Sequence, residues 1–461
     1  MKNTGNRYVP DSEYVSSKFR ICLYIAFIIG IYPLSAAAQS QKDSIHFTLE
    51  SCIAYALQNA PEISQAQIDE EIGESRIRSS MSYWLPQISA QFNYQHNILL
   101  PTTMFPNQVT GERVPVRIGV KNNSNLLLQA DQTILNGEVL YAARAARYTR
   151  KELVQNIENT KINTVVDVSK AFYDILLSQQ QLRILEENIG RLQRQYQDAH
   201  DRYEFGLSDK TDYQRASISL ANTRSEYKRM QEVLLVKYAY LKQRIGYQNN
   251  QPISLSFDIL SMEENIPVDT TMPMEYDRRI EMQRLKTQQH LLHLNTAYNK
   301  YKFIPQIGVF GNYNLNYLHD ELSQLYGKTY PASAVGLSMG VPIFQGSRRI
   351  QDIKIAQLQE KRLQVDIDNA IRGMNTEYVA ALAGYKSSYK EWLTLKNNVE
   401  TAKEVYDIIK LQYDGGVKTY LELIVAESEL KTSQLNYYNA LYNLLASKLD
   451  FERALGIIDF N

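Results

Sequence analysis

The sequence predicts a mainly helical chain with a small membrane-type β part, built as one unit written twice. Three observations carry this. Landmarks recur at a nearly fixed offset: Tyr203 and Tyr413, Gly206 and Gly416, and Gly246 and Gly456 are each 210 positions apart (456 − 246 = 210). Four short stretches alternate apolar and polar residues with a period of two, as strands do. Two stretches of about seventy residues, beginning near Gly137 and Gly346, keep a helical pattern without a single Pro. Fixed-period self-similarity is a statement about architecture before any residue is interpreted.

The repeat also extends upstream. Trp84-Leu-Pro-Gln-Ile-Ser89 matches Phe303-Ile-Pro-Gln-Ile-Gly308, and Ile134-Leu-Asn-Gly137 matches Ile343-Phe-Gln-Gly346. Pro86 and Gly137 are 51 positions apart (137 − 86 = 51), against 41 for Pro305 and Gly346 (346 − 305 = 41), so the first copy carries extra residues between its two short segments.

Bulk properties exclude several classes. The chain has 461 residues, 44% hydrophobic and 22% charged, which places it among structured proteins. Its 50 basic and 50 acidic side chains cancel, so there is no nucleic-acid footprint. Of 2 Cys, Cys22 falls in the leader described next, and Cys52 alone builds neither a disulfide framework nor a thiolate metal site.

In chain order, Lys18 and Arg20 precede an apolar run, Ile21 to Leu34, followed by Ser35-Ala-Ala-Ala-Gln39. This describes a secretory signal peptide over residues 1–38, cleaved after Ala38. Past it, no apolar run is long enough for a spanning helix. The remaining chain divides into a first repeat, 39–246, an irregular linker, 247–273, and a second repeat, 274–461.

Thr48 with Ser51 reads as a helix start, and Pro61 opens a second helix reaching about Met81. Strands are then predicted at about 87–97 and 125–135, and again at 306–317 and 334–343. In the first, Ile88, Ala90, Phe92 and Tyr94 alternate with Gln87, Ser89, Gln91, Asn93 and Gln95. The second is weaker, with Gln129, Asp131 and Thr133 on its polar face. Strands of about ten residues, apolar on one face and amide-rich on the other, fit an outer-membrane barrel. The competing reading is a soluble four-stranded sheet. Four strands cannot close a barrel, and lipid does not tolerate open edges, so a membrane sheet of this size requires several chains to share one barrel.

The long helices carry coiled-coil seams. One runs through Leu182, Leu185, Ile189, Leu192 and Tyr196, the other through Leu395, Val399, Ala402, Tyr406, Ile409 and Tyr413. Each long helix should end in a hairpin tip, at about 203–212 and 413–422. Gly206, and Gly415 with Gly416, stand where a chain leaves a helix through the left-handed region. The linker holds Pro252, Pro267 and Pro273, with a short strand near residues 253–257.

The order of these features resembles the TolC family of outer-membrane export channels. The resemblance rests on Thr48-Leu-Glu-x-x-Ile-x-x-Ala-Leu-x-x-Asn-x-Pro-Glu-Ile63, the Leu85-Pro86 and Ile304-Pro305 strand entries, the Leu135-Asn-Gly137 and Phe344-Gln-Gly346 exits, both hairpin tips and the Leu455-Gly456 ending. It implies a homotrimer in outer-membrane lipid, sharing one 12-stranded barrel (three times four strands) above an α-helical tunnel in the periplasm. It further implies a passive duct for efflux or type I secretion, a periplasmic adaptor and an inner-membrane transporter as partners, and a gate at the periplasmic tips. Within that gate, Asp212 matches a latch carboxylate and Tyr413 its aromatic partner. Lys418 stands at a position that is often Arg, and Glu422 at an inward acidic position. Lys in place of Arg forfeits the bidentate fork.

Plainer roles stand beside these. Thr419 and Glu422 fit a capping box, and Asp209 and Asp212 gain from the helix dipole at a helix start. The 6 His, namely His46, His96, His200, His290, His293 and His319, make no zinc site, since only His290 and His293 are close. No phosphate loop, nucleophile elbow or metalloprotease signature appears, so neither enzyme activity nor a cofactor is expected. The competing functions are a non-conducting periplasmic coiled-coil adaptor and a poreless envelope scaffold.

Overall fold

The computed structural model describes residues 45–106, 111–248, 251–256, 262–263 and 266–459. The expected signal peptide lies outside the described residues, as do positions 249–250, 257–261 and 264–265 of the expected linker. A small unit holds most of two paired strands, β1 (Ile45–Phe47) and β6 (Ile253–Leu255). The large unit holds the remaining elements.

The large unit opens with α1 (Leu49–Asn59) and α2 (Pro61–Ser82). Thr48 and Ser51 form a reciprocal capping box at the start of α1, and Pro61 occupies the first turn of α2. Strand β2 (Gln87–His96) follows, then a hairpin of β3 (Thr102–Pro106) and β4 (Arg113–Arg117), then β5 (Asn122–Leu135). Next come α3 (Gly137–Glu204) and α4 (Lys210–Arg244). The later half holds α5 (Ile280–Tyr301), β7 (Gln306–His319), β8 (Thr329–Gly340), α6 (Arg348–Asp414) and α7 (Tyr420–Leu455). Helices α3 and α6 run for 68 and 67 residues, each about 100 Å at 1.5 Å per residue.

Four strands pair antiparallel in the order β2-β5-β7-β8. Partners in register share a face. Phe92 stands opposite Leu126, Leu126 opposite Leu315, and Leu315 opposite Pro331; Ile88 aligns with Ala130, Gly311 and Val335 in the same way. One face of the sheet is therefore mostly apolar, interrupted by Ser124, Ser333 and Thr329. Toward the helix end that face is uncovered, with Ile88 80% and Val335 84% exposed, while at the far end Tyr326 covers Tyr317 and Ser124. The other face aligns Gln91, Asn93, Gln129, Asn312, Asn314 and Asn316. Strands β2 and β8 are the outer members of this sheet.

The strands differ from expectation in several places: β5 begins at Asn122 rather than about 125, and β7 reaches His319 rather than about 317. Strand β8 was expected at 334–343 but runs Thr329–Gly340. Its limits follow from its partner: Gln306, the first residue of β7, pairs with Gly340, and Tyr317 pairs with Thr329. Pro342, just beyond, has no N–H to extend the ladder. The hairpin β3–β4 was not anticipated. It holds Pro106 and Pro115, residues that strands accept at edges.

The packed core uses several of the chain's 33 Tyr. Phe451, fully buried on α7, stacks on Tyr385 of α6 at 5.8 Å between ring centres, beside buried Trp392 and Leu444. The Tyr385 hydroxyl donates to the Ile266 carbonyl at 2.9 Å and accepts from the Val268 amide at 3.1 Å. The Tyr378 hydroxyl donates to the Met272 carbonyl at 3.0 Å. An irregular segment has no ladder to satisfy its backbone, and these phenols supply the partners that burial demands.

Candidate gate at the hairpin tips

Both hairpin tips are closed by the same backbone device. The Gly206 amide donates to the Tyr203 carbonyl at 2.9 Å and the Leu207 amide to the Arg202 carbonyl at 2.8 Å. At the other tip, the Gly416 amide donates to Tyr413 at 2.9 Å and the Val417 amide to Gln412 at 2.8 Å. Gly206 (φ +70°) and Gly416 (φ +73°) occupy the left-handed region, as this double-bonded helix end requires. Gly415 does not, since its φ is −83°. Substituting Ala at Gly206 or Gly416 should therefore cost about 1 kcal/mol each, and Gly415→Ala close to nothing. Thermal unfolding of the three variants, side by side, checks this ranking.

Next to each turn the following helix is capped. Asp209 accepts from the Thr211 amide at 2.8 Å. Thr419 and Glu422 form a reciprocal box, with the Thr419 amide donating to Glu422 Oε2 at 2.9 Å. Lys418 Nζ lies 2.6 Å from Glu422 Oε1. The Lys418 ammonium, the Thr419 amide and the Thr419 hydroxyl together hold the Glu422 carboxyl down to about 2. Its folded value is lowered, so its contribution is present above the ordinary carboxylate range and is lost as pH falls toward about 2. A carboxylate infrared titration, wild type minus Glu422→Gln, should show no Glu422 protonation between about pH 5 and about pH 3.

The structure brings some expected gate residues together and not others. Lys418 and Glu422 are paired within their own turn. Tyr413 instead meets α3: its hydroxyl is 3.5 Å from Asp198 Oδ2, and the Arg202 guanidinium lies 5.2 Å over its ring. Arg202 Nε also contacts Asp198 Oδ2 at 3.1 Å. Asp212, in the first turn of α4, makes no side-chain hydrogen bond or ion pair among the described residues. Its charge acts on Tyr413 and Tyr420, which are raised chiefly by burial.

A second polar cluster, further along the helices, was not anticipated. Glu427 of α7 is 1% exposed and accepts from three α3 side chains: Asn188 Nδ2 at 3.2 Å, Arg191 Nε at 3.0 Å and Gln195 Nε2 at 2.7 Å. Arg191 lies 5.9 Å over the Tyr406 ring of α6. Burial pushes the Glu427 carboxyl up, while Arg191, Gln195 and Lys431 pull against it. One group thus ties the first hairpin to the second.

This cluster also corrects the first predicted seam. Buried positions on α3 run through Gln181, Leu185, Asn188 and Leu192, not through Leu182 and Ile189. Gln181 donates to Asn439 of α7 at 2.9 Å, and Asn188 to Glu427. A seam of hydrophobic residues alone misses positions where amides are buried because partners meet them. The spacing of Gln181, Asn188 and Gln195, seven apart, was the available signal.

Comparison with known proteins now settles the family. A family model described as outer membrane efflux protein matches residues 52–247 and 278–457. The chain belongs to the outer membrane efflux protein family. The outer membrane protein TolC of Vibrio cholerae is 20% identical over 405 residues, covering 87% of this chain and 89% of that protein. The MtrE outer membrane channel of Neisseria gonorrhoeae, solved in an open state, superposes with a TM-score of 0.69 at 18% identity, covering 88% of each chain. VceC of Vibrio cholerae gives 0.66 at 15% identity, covering 88% of this chain and 96% of that one. At these identities the structural likeness speaks for the fold. This family member is an outer-membrane channel for efflux, and its family is one of passive channels rather than enzymes. No helix of the described residues is long and apolar enough to cross a membrane.

Proposed function

We propose that this efflux channel works as a homotrimer whose three four-stranded sheets close into one shared barrel, with the helical hairpins forming a tunnel gated at their tips. A twofold internal repeat underlies the design: α2, β2, β5, α3 and α4 in the first copy answer α5, β7, β8, α6 and α7 in the second. The observation carrying this reading is the sheet itself. It is mostly apolar on one face, amide-rich on the other, and ends in two strands, β2 and β8, each with one edge unpaired among the described residues. Water would leave that apolar face uncovered, and lipid would leave both edges unsatisfied; only closure with other copies satisfies both demands.

The duct would receive its cargo from a periplasmic adaptor and an inner-membrane transporter docked at the hairpin end, as expected for a tripartite efflux or secretion system. Asp212, Tyr413, Lys418 and Glu422 are the proposed gate, with Asp198 and Arg202 holding Tyr413 in place. Conductance of the purified protein in a planar bilayer tests both parts. Wild type is expected to conduct weakly, and Asp212→Ala/Lys418→Ala to conduct severalfold more. Equal conductance would keep the duct and return both residues to capping. Folded, inserted protein with no conductance would replace the duct by the scaffold reading, and recovery in the soluble periplasmic fraction would favour the adaptor.

A further inference from the structure

We propose that the junction between strands and helices is a docking site for the headgroup of an anionic glycerophospholipid. The proposal rests on the membrane placement of the sheet given above. At the helix side of the sheet, a cavity of about 240 Å³ is lined by Lys302, Arg348, Arg349, Tyr298, Tyr301 and Gln306 among others. Its cations are held in place by rings and an amide: Lys302 lies 4.7 Å over Tyr298, and Arg349 lies 5.5 Å over Phe303 with Nε donating to Gln345 at 2.8 Å. Arg144 lies 5.5 Å over Tyr301. Among the described residues, none of these four cations is in an ion pair, and Arg349 Nη1 has no hydrogen-bond partner. Glu138 and Asp352 share the lining, so cations remain in excess.

The start of α6 sharpens the charge. Ser347, at φ +67°, offers no side-chain cap, and the first turn holds Arg348 and Arg349 with no acidic residue. Cations at a helix start repel the helix dipole, an arrangement relieved by an anion. The surroundings identify which anion. Beside the helix-side ends of β2, β7 and β8 the chain exposes Trp84, Leu85, Phe303, Ile343 and Phe344, next to the exposed apolar residues Ile88, Leu337 and Met339 of the sheet. Aromatic rings with neighbouring Lys and Arg mark the headgroup level of a membrane. A free phosphate would satisfy the cations but not Ile343, 95% exposed, or Phe344, 86% exposed. A phospholipid satisfies both, with its phosphate on the Arg pair and its acyl chains along the apolar face.

The test is lipid retention, read by native mass spectrometry of the full protein released from vesicles of phosphatidylcholine and phosphatidylglycerol in equal amounts. Flotation of the same vesicles establishes insertion first. Wild type is expected to retain phosphatidylglycerol over phosphatidylcholine by roughly tenfold. The variant Lys302→Gln/Arg348→Gln/Arg349→Gln should fall to near parity, while Arg113→Gln/Arg117→Gln, in the hairpin at the other end of the sheet, should keep the preference. Should the triple variant not insert, Arg348→Gln alone is expected to lose about threefold. Parity in wild type, or a cradle variant with undiminished preference, overturns the proposal while leaving the channel intact. Failure of wild type to float with any vesicle removes the membrane placement and the docking site with it.

Discussion

Glu427→Ala is expected to destabilise the protein by about 3 kcal/mol, and Glu427→Gln by less than half of that. Glu427 is buried and takes hydrogen bonds from Asn188, Arg191 and Gln195. Removing it leaves two amides and a guanidinium without their acceptor between packed helices, and that loss is the dominant cost. Glutamine keeps one acceptor oxygen and also removes a buried charge, which offsets part of the lost attraction to Arg191. The side chain of Arg191 retains 21% of its exposure, so water can solvate it when the charge opposite is gone. Thermal unfolding in detergent at a fixed scan rate measures the difference. Equal losses for the two variants would show that the charge, rather than the acceptor, holds the hairpins together. Because the cluster joins α3 to α7, the Ala variant is also expected to raise resting conductance.

Gly246→Ala should be as damaging, at about 3 kcal/mol or more, for a backbone reason. Gly246 has φ +71°, and a Cβ there would lie 2.0 Å from the Asn59 carbonyl oxygen and 2.7 Å from its carbon. These are main-chain atoms at the join of α1 and α2, so no side chain can swing aside. The end of α4 would have to separate from that join. A Cβ on Gly456, at φ +72°, would come no closer than 3.3 Å to the backbone of Arg278 and Arg279. Gly456→Ala is accordingly expected to cost about 1–2 kcal/mol, mostly from the left-handed backbone. Unfolding temperatures of the two variants, compared with wild type, decide the ranking; a harsher Gly456 substitution would refute it.

The sequence by itself determined the local matters. Thr48, Pro61, Asp209 and Thr419 sit at helix starts because capping depends on a few neighbouring residues, and Gly206 and Gly416 sit at helix ends for the same reason. The alternation of Ile88, Ala90, Phe92 and Tyr94 was legible because a strand's two faces are written in successive residues. The proposed closure with other copies also starts from the sequence, since four strands cannot satisfy their own edges in lipid. Tertiary structure alone decided the pairings. Where β8 ends was set by Gln306 of β7, and whether Asn188 is a seam residue was set by Glu427, 239 positions away. Lys418 chose Glu422 over Asp212 because a partner one helical turn away, already positioned by Thr419, requires no ordering of a second segment. A chain's own pattern reveals which groups seek partners; which partner each one meets depends on how distant segments pack.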